Sequence, residues 1–470
     1  MPVGVRRTIS EVDEGVGGDV NDERDVHFFL PNSRRQSEEE SAASPHRPRA
    51  FAMSQENLAG FMLVHTFQLP SQTGPSQVIL LPATKTTGVR ILAACRDDSF
   101  RYFYFHLGES DSGDEICVTP KARMISSLLI EKDWKVGALS LVPRQLEVPN
   151  APDVVAYILY RTIPKEQVVE NESSQTSWLS VAVFNGLDDS ESDGGRSEST
   201  ENSADGDAGH LATACGGKMP FLPHGCNQLI WWKPLGAKPD ANVSVLIPGQ
   251  DEGLYSVAIS LEQIASHTLT FADAFTVIPE LKNLSASTCI NALDYLDILS
   301  ADGSPQRIVV LSHKARSEIV VGQLNCITQA WTLLWTCQHD SMTSRMRLFR
   351  SGDVVDLLVV GLCEPVVVFR NIVTSKRPKA TVLPDSNRFD MVTCCDVADV
   401  DGDGQLEVIL GTYGRTVLVY KLYDDKDPTL LHRVETAFPV HFVAFAPLTG
   451  ADTSELLVIT QKGVHVYSLL

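Results

Sequence analysis

The residues best suited to chemistry lie in one short run, Asp399-Val400-Asp401-Gly402-Asp403-Gly404-Gln405-Leu406-Glu407. Counted from Asp399, carboxylates stand at positions 1, 3, 5 and 9, with glycine at position 6. Aspartates alternating along a tight loop bring hard oxygen ligands to one point, which suits a hard cation such as calcium. Asp399, Asp401, Asp403 and Glu407 would each supply a carboxylate oxygen, and Gln405 its backbone carbonyl. Position 12 is Leu410 where an EF-hand needs Glu, and apolar strand-like runs flank the loop, so it is no EF-hand. The same residues also suit a plain hairpin turn, because Asp and Gly are favoured in turns on conformational grounds alone. Either way the loop is structural. At most one structural calcium is expected, and no other cofactor.

Other reactive side chains form no comparable set. His210, Cys215, His224 and Cys226 match no standard zinc spacing and read as coincidental loop residues. Cys394 and Cys395 are adjacent within a strand-like run, so their side chains point to opposite faces and read as structural thiols. Trp231-Trp232 reads as core or rim of a sheet. No nucleophile elbow, Walker loop, HExxH or dinucleotide glycine motif occurs. Paired carboxylates abound, but in an acidic chain they are normally a solvated face. The chain is therefore expected not to be an enzyme, with no catalytic residues. Arg34-Arg35 ahead of Ser37 resembles a basophilic kinase site, or is an ordinary charged tail.

The elements that would hold the acidic loop are strands. Runs rich in Val, Ile, Leu, Phe and Tyr are short, and Gly, Asp, Pro or Asn interrupts them. An internal repeat narrows the fold. Residues 293–324, 394–422 and 442–470 each hold an apolar strand, an acidic or glycine-containing turn, a strand of the type EVILG, a tight turn and a strand of the type VLVYKL. Met346–Ile372 repeats the last part, and 330–337, 380–384 and 430–438 can serve as outer fourth strands. Four strands per unit at this period is the pattern of propeller blades. Looser units are expected near 76–130, 134–184 and 227–277. The fold class expected is all-β, a seven-bladed β-propeller over 58–470 with an FG-GAP-like blade at 390–438. The final unit offers three strands, so Gly60–Leu69 is expected to supply its fourth and close the ring.

Two segments lack packing residues. Residues 1–57 read as a disordered N-terminal tail, and 187–209, LDDSESDGGRSESTENSADGDAG, as an acidic disordered insertion. The formal net charge of −20 disfavours nucleic acid and anionic lipid as partners. No run approaches the ~20 apolar residues of a membrane helix, so direct membrane insertion is not expected and any membrane location would come through a partner. The N-terminus lacks the apolar region of a signal peptide. Ten unevenly spaced cysteines suit reduced thiols in the cytoplasm.

Four stretches together resemble the kaptin family: 278–297, 362–373, 383–422 and 456–469. Within 383–422 an Asp-rich turn similar to the FG-GAP calcium loop of integrin-type propellers leads to a strand, a Thr-Tyr-Gly turn and a strand ending in Tyr-Lys. The resemblance implies an adaptor of the KICSTOR complex. There it would sit with an FG-GAP propeller subunit and a large scaffold subunit, act on GATOR indirectly, restrain TOR signalling in nutrient shortage, and be recruited to lysosomes. It also implies, as an alternative, association with actin filaments at lamellipodia and stereocilia. The chain departs from the family in its long N-terminal tail and in the 187–209 insertion. It also stops at Leu470, where relatives carry a basic, helix-prone extension, so the resemblance does not reach whatever that extension binds.

Overall fold

Strands that are apolar on both faces must be covered on both faces, and the chain meets this need by stacking sheets around a ring. In the computed structural model, 28 strands form seven four-stranded antiparallel sheets among the described residues. The structure describes residues 60–469, except for stretches of which the longest are 110–115, 126–133, 143–152, 163–174, 186–209, 221–228, 234–242, 260–268 and 282–289, and some single or paired positions. Both the proposed tail and the acidic insertion lie outside the described residues.

Blades one to six span 78–125, 135–218, 230–273, 290–338, 343–382 and 392–435. In each, the four strands pair in chain order. The seventh pairs three strands over 440–469 with Phe61–Gln68, which runs antiparallel to Gly463–Leu469 with Phe61 opposite Leu469. The segment expected to close the ring does so. One boundary differs from expectation: blade two does not end at 184. Its fourth strand is His210–Lys218, beyond the acidic insertion. That strand, HLATACGGK, is rich in small residues, two of them glycines, and has Thr213 as its one β-branched residue and no Phe, Tyr or Trp, so it carries little of the signature that marks the others. The insertion therefore joins the third and fourth strands of one blade. Blade five likewise has a first strand of its own, Thr343–Ser351, whose arginines disguise it.

The core is seven hydrophobic layers, each shared by two consecutive blades. The layer between blades seven and one joins Leu457, Val464 and Val466 to Ile91 and Phe105, which completes the circle. Alternation along single strands explains the unbroken apolar runs. In blade six, Val408 and Leu410 pack towards blade five, whereas Ile409 between them packs towards blade seven. All three are fully buried, and each contributes roughly 1.5–3 kcal/mol on this account.

Against this apolar background, a charged residue recurs near the start of the second strand. Arg90, Asp153, Arg307, Asp356, Glu407 and Glu455 hold that place in blades one, two, four, five, six and seven, and all are buried. Each is answered locally, as burial of a charge demands. Arg90 Nη2 meets Asp153 Oδ2 at 2.6 Å, linking blades one and two. Arg307 forks onto Asp297 at 2.6 and 2.9 Å, and its guanidinium carbon lies 4.6 Å from the Trp232 and 4.3 Å from the Tyr295 ring centroid.

Candidate functional site

The acidic loop joins the first and second strands of blade six, Val392–Ala398 and Glu407–Thr412. Gly402 and Gly404 adopt φ of +74° and +83°, a left-handed backbone that residues with a Cβ rarely hold. The turn thereby folds its aspartates inward. One oxygen each of Asp399, Asp401 and Asp403 lies within 4.8 Å of the others, and among the described residues this is the one such group of His, Cys, Asp or Glu. The loop also ties its own backbone to these side chains. Gly404 N–H donates to Asp399 Oδ2 at 3.0 Å, Asp403 N–H to Asp401 Oδ1 at 3.3 Å, and Gln405 N–H to Asp403 Oδ1 at 2.9 Å.

Glu407 stands apart from the cluster. It is fully buried at the head of the second strand, and its Oε2 accepts Val400 N–H at 2.8 Å. Burial raises its pKa, and the charge of Asp401 adds to the rise, against the lowering effect of the Val400 N–H and Lys421. Gln405 is exposed.

A residue the sequence reading had not assigned completes the site. Lys421 ends the third strand of blade six, directly opposite Glu407. Its Nζ donates to Asp401 Oδ2 and to Asp403 Oδ2, both at 2.5 Å, and stands 3.5 Å from Glu407 Oε1. Burial acts to lower the Lys421 pKa, but the bonds from Asp401 and Asp403 outweigh it and the pKa is raised. Asp403 is held below the ordinary carboxylate range, chiefly by the Lys421 bond and then by Gln405 N–H. The signal was available: Lys421 falls on the Tyr-Lys end of the repeat, in register with the acid at the head of the preceding strand.

This arrangement tests calcium directly. Of the oxygens a metal would need, Asp401 Oδ2 and Asp403 Oδ2 are bonded to an ammonium, and Glu407 Oε1 faces the same ammonium. Among these loop oxygens, Asp399 Oδ1 is the one buried without a hydrogen bond or an ion pair to Lys421. A dication placed among these oxygens would stand beside the ammonium, at a repulsion on the order of several kcal/mol. The oxygens do not fit calcium while Lys421 holds this position.

The remaining candidates are structural. Cys394 packs between blades six and seven and Cys395 towards blade five, and burial pushes their thiols up to about 12 and about 11. Trp232 is buried between blades three and four, and Trp231 Nε1 donates to Ser140 Oγ at 2.7 Å. His210 and Cys215 are strand residues of blade two, not loop residues, and Cys215 is buried towards blade three. His224, Cys226, and Arg34-Arg35 with Ser37, lie outside the described residues.

The face of the ring opposite the acidic loop differs in character. There the turns and connections of blades six and seven are tied together by backbone bonds: Tyr413 N to Met391 O, Thr436 N to Arg415 O, and Gln461 N to Pro439 O. Met391, Tyr413 and Phe438 are exposed on this face, with Tyr413 at 51%. Arg415 and Lys462 are exposed beside them, and Lys462 Nζ lies 5.2 Å from the Phe438 ring centroid.

Fold and site together define a seven-bladed β-propeller whose acidic loop is tied to strand structure. Over residues 350–468 the chain matches the family described as KICSTOR complex protein kaptin. It is 32% identical over 236 residues to the mouse KICSTOR complex protein kaptin, which is 47% of this chain and 53% of that protein. The resemblance to kaptin read from the sequence is thus shown, and the chain spans about half the length of the curated relative it matches. Among solved structures, BBS1N crystallised in complex with ARL6DN and soaked with mercury gives a TM-score of 0.48 at 9% identity, covering 87% of this chain and 97% of that one. Raptor from Chaetomium thermophilum gives 0.44 at 12% identity, covering 86% of this chain and 30% of that one.

Proposed function

We propose that this chain is a non-enzymatic adaptor subunit of a KICSTOR-like complex. In that role it helps restrain TOR complex signalling when amino acids or glucose are short, and reaches the lysosome through its partners from the cytoplasm. One observation carries the reading. The kaptin match covers most of blade five, all of blade six and the three C-terminal strands of blade seven, and the same part of the ring exposes Met391, Tyr413 and Phe438 beside Arg415 and Lys462. Aromatic, Met and Arg side chains are the types enriched where proteins meet. The charge of the two cations favours an acidic segment of a partner subunit.

The test is co-purification of the tagged full chain from cells, followed by mass spectrometry. Recovery of KICSTOR subunits with GATOR components is the expected result. Recovery of actin without them would transfer the reading to the cytoskeleton, and recovery of neither would end it.

A further inference from the structure

We propose that Lys421 is the resident cation of the 399–405 loop, taking the place a calcium ion would hold, so that blade six keeps a metal-type loop without depending on metal. The geometry is direct. The ammonium donates to two of the three clustered aspartates at 2.5 Å and faces Glu407, and its side chain is only 10% exposed.

Blade five supplies an independent observation. There the second strand also begins near a buried acid, Asp356, and Arg370 on the third strand meets its Oδ2 through Nε at 3.1 Å. Leu357 pairs with Phe369, so Asp356 and Arg370 hold the register of Glu407 and Lys421. The corresponding turn of blade five, Ser351-Gly352-Asp353-Val354, has no cluster of carboxylates. A cation at this register therefore belongs to the blade, where it answers the buried acid, and exists without any acidic loop. Blade seven solves the same problem otherwise. Glu455 Oε2 accepts Leu448 N–H at 2.9 Å, and Oε1 accepts the hydroxyls of Thr449 and Thr453. In blade six alone of the three the strand cation also reaches a carboxylate cluster. The consequence is a loop with the sequence of a calcium site whose blade is indifferent to calcium and dependent on Lys421.

The experiment uses the purified full chain. Thermal melts are recorded in calcium chloride and in chelator, with a calcium titration by calorimetry, for wild type, Lys421→Ala and Lys421→Arg. The wild type is expected to melt at the same temperature in both media and to give no saturable calcium heat. Lys421→Arg should behave alike. Lys421→Ala should melt several degrees lower in chelator, because the aspartates then repel one another, and should recover most of that loss in millimolar calcium. A calcium-dependent rise in the wild type overturns the proposal. So does a folded Lys421→Ala chain that ignores calcium, since the lysine would then replace nothing. If Lys421→Ala fails to fold, the wild-type isotherm decides alone: saturable heat overturns the proposal and its absence supports it.

Discussion

Asp396, on the first strand of blade six, accepts a hydrogen bond through Oδ2 from the backbone N–H of Phe445, on the first strand of blade seven, at 3.1 Å. Asp294 makes the same bond to Leu348 N–H between blades four and five, at 2.7 Å. The register places Arg347 at the matching position of blade five. Blades four and five, and blades six and seven, are thus joined by a side chain reaching a backbone amide between first strands, in addition to their apolar layers.

The first prediction follows from the state of that carboxyl. Burial raises the Asp396 pKa above the usual Asp value, against the lowering effects of the Phe445 and Val397 N–H groups and Arg347. A carboxyl with a raised folded pKa binds protons more readily folded than unfolded. Its contribution to stability is therefore greatest in acid and falls as pH rises from the ordinary Asp value through the raised one. Asp396→Asn keeps an acceptor for Phe445 N–H and cannot ionise. Its melting temperature relative to wild type should rise as pH increases from the ordinary Asp range towards neutrality. Asp396→Ala removes the acceptor and should melt roughly 1–3 °C lower at neutral pH. Melts across this pH range check both, and an Asn–wild-type difference that is flat with pH refutes the account.

The second prediction concerns ring closure. Phe61 is 3% exposed and packs edge-on against His432, at 5.1 Å between ring centroids. Two residues along the same strand, Leu63 is 45% exposed. Phe61→Ala should cost about 3 kcal/mol, whereas Leu63→Ala should stay within about 0.5 kcal/mol of wild type. Urea melts measure both. Equal effects would mean that the strand does not close the ring by packing.

The third prediction addresses the Arg90–Asp153 pair, buried on both sides, with Arg90 Nε also donating to Pro82 O at 2.8 Å. Removing one partner strands the other charge in an apolar layer. Asp153→Ala should therefore destabilise by roughly 3–5 kcal/mol. The Arg90→Met, Asp153→Leu double variant should recover much of that loss, because it leaves no buried charge. A double variant as unstable as the sum of the single ones would assign the cost to shape instead.

The strands of blades four, six and seven were legible because side chains covered on both faces leave an unbroken apolar run, such as Val408-Ile409-Leu410. The closing strand was legible by counting, since a three-stranded last unit needs a fourth. Two elements hid for physical reasons. His210–Lys218 is rich in small residues and carries little propensity signal, and in Thr343–Ser351 three arginines break the apolar run: Arg347 and Arg350 are exposed, and Arg345 Nε donates to Thr393 O at 2.9 Å. In the site, the aspartates were evident from spacing. Lys421 was not, because its partners lie 18 and 20 residues away and meet it only across a strand pair.

The last prediction joins the surface to the proposed function. Tyr413 and Phe438 are exposed on the face opposite the acidic loop, so their side chains add little to folding. An aromatic residue at the centre of an interface, in contrast, often costs 2 kcal/mol or more when truncated. The Tyr413→Ser, Phe438→Ser double variant should keep the melting temperature within about 2 °C of wild type. It should recover at least about tenfold less partner subunit in co-purification, the equivalent of ~1.4 kcal/mol. Arg415→Glu, which reverses a cation on the same face, should also weaken recovery, and more so at low salt if the partner segment is acidic. Arg415 adopts a φ of +62°, where any side chain is somewhat strained, so this substitution leaves the backbone requirement unchanged. A double variant that folds and still recovers its partners in full places the contact on another part of the ring. A loss of recovery that merely tracks a fall in melting temperature makes these residues structural and removes the observation on which the adaptor reading rests.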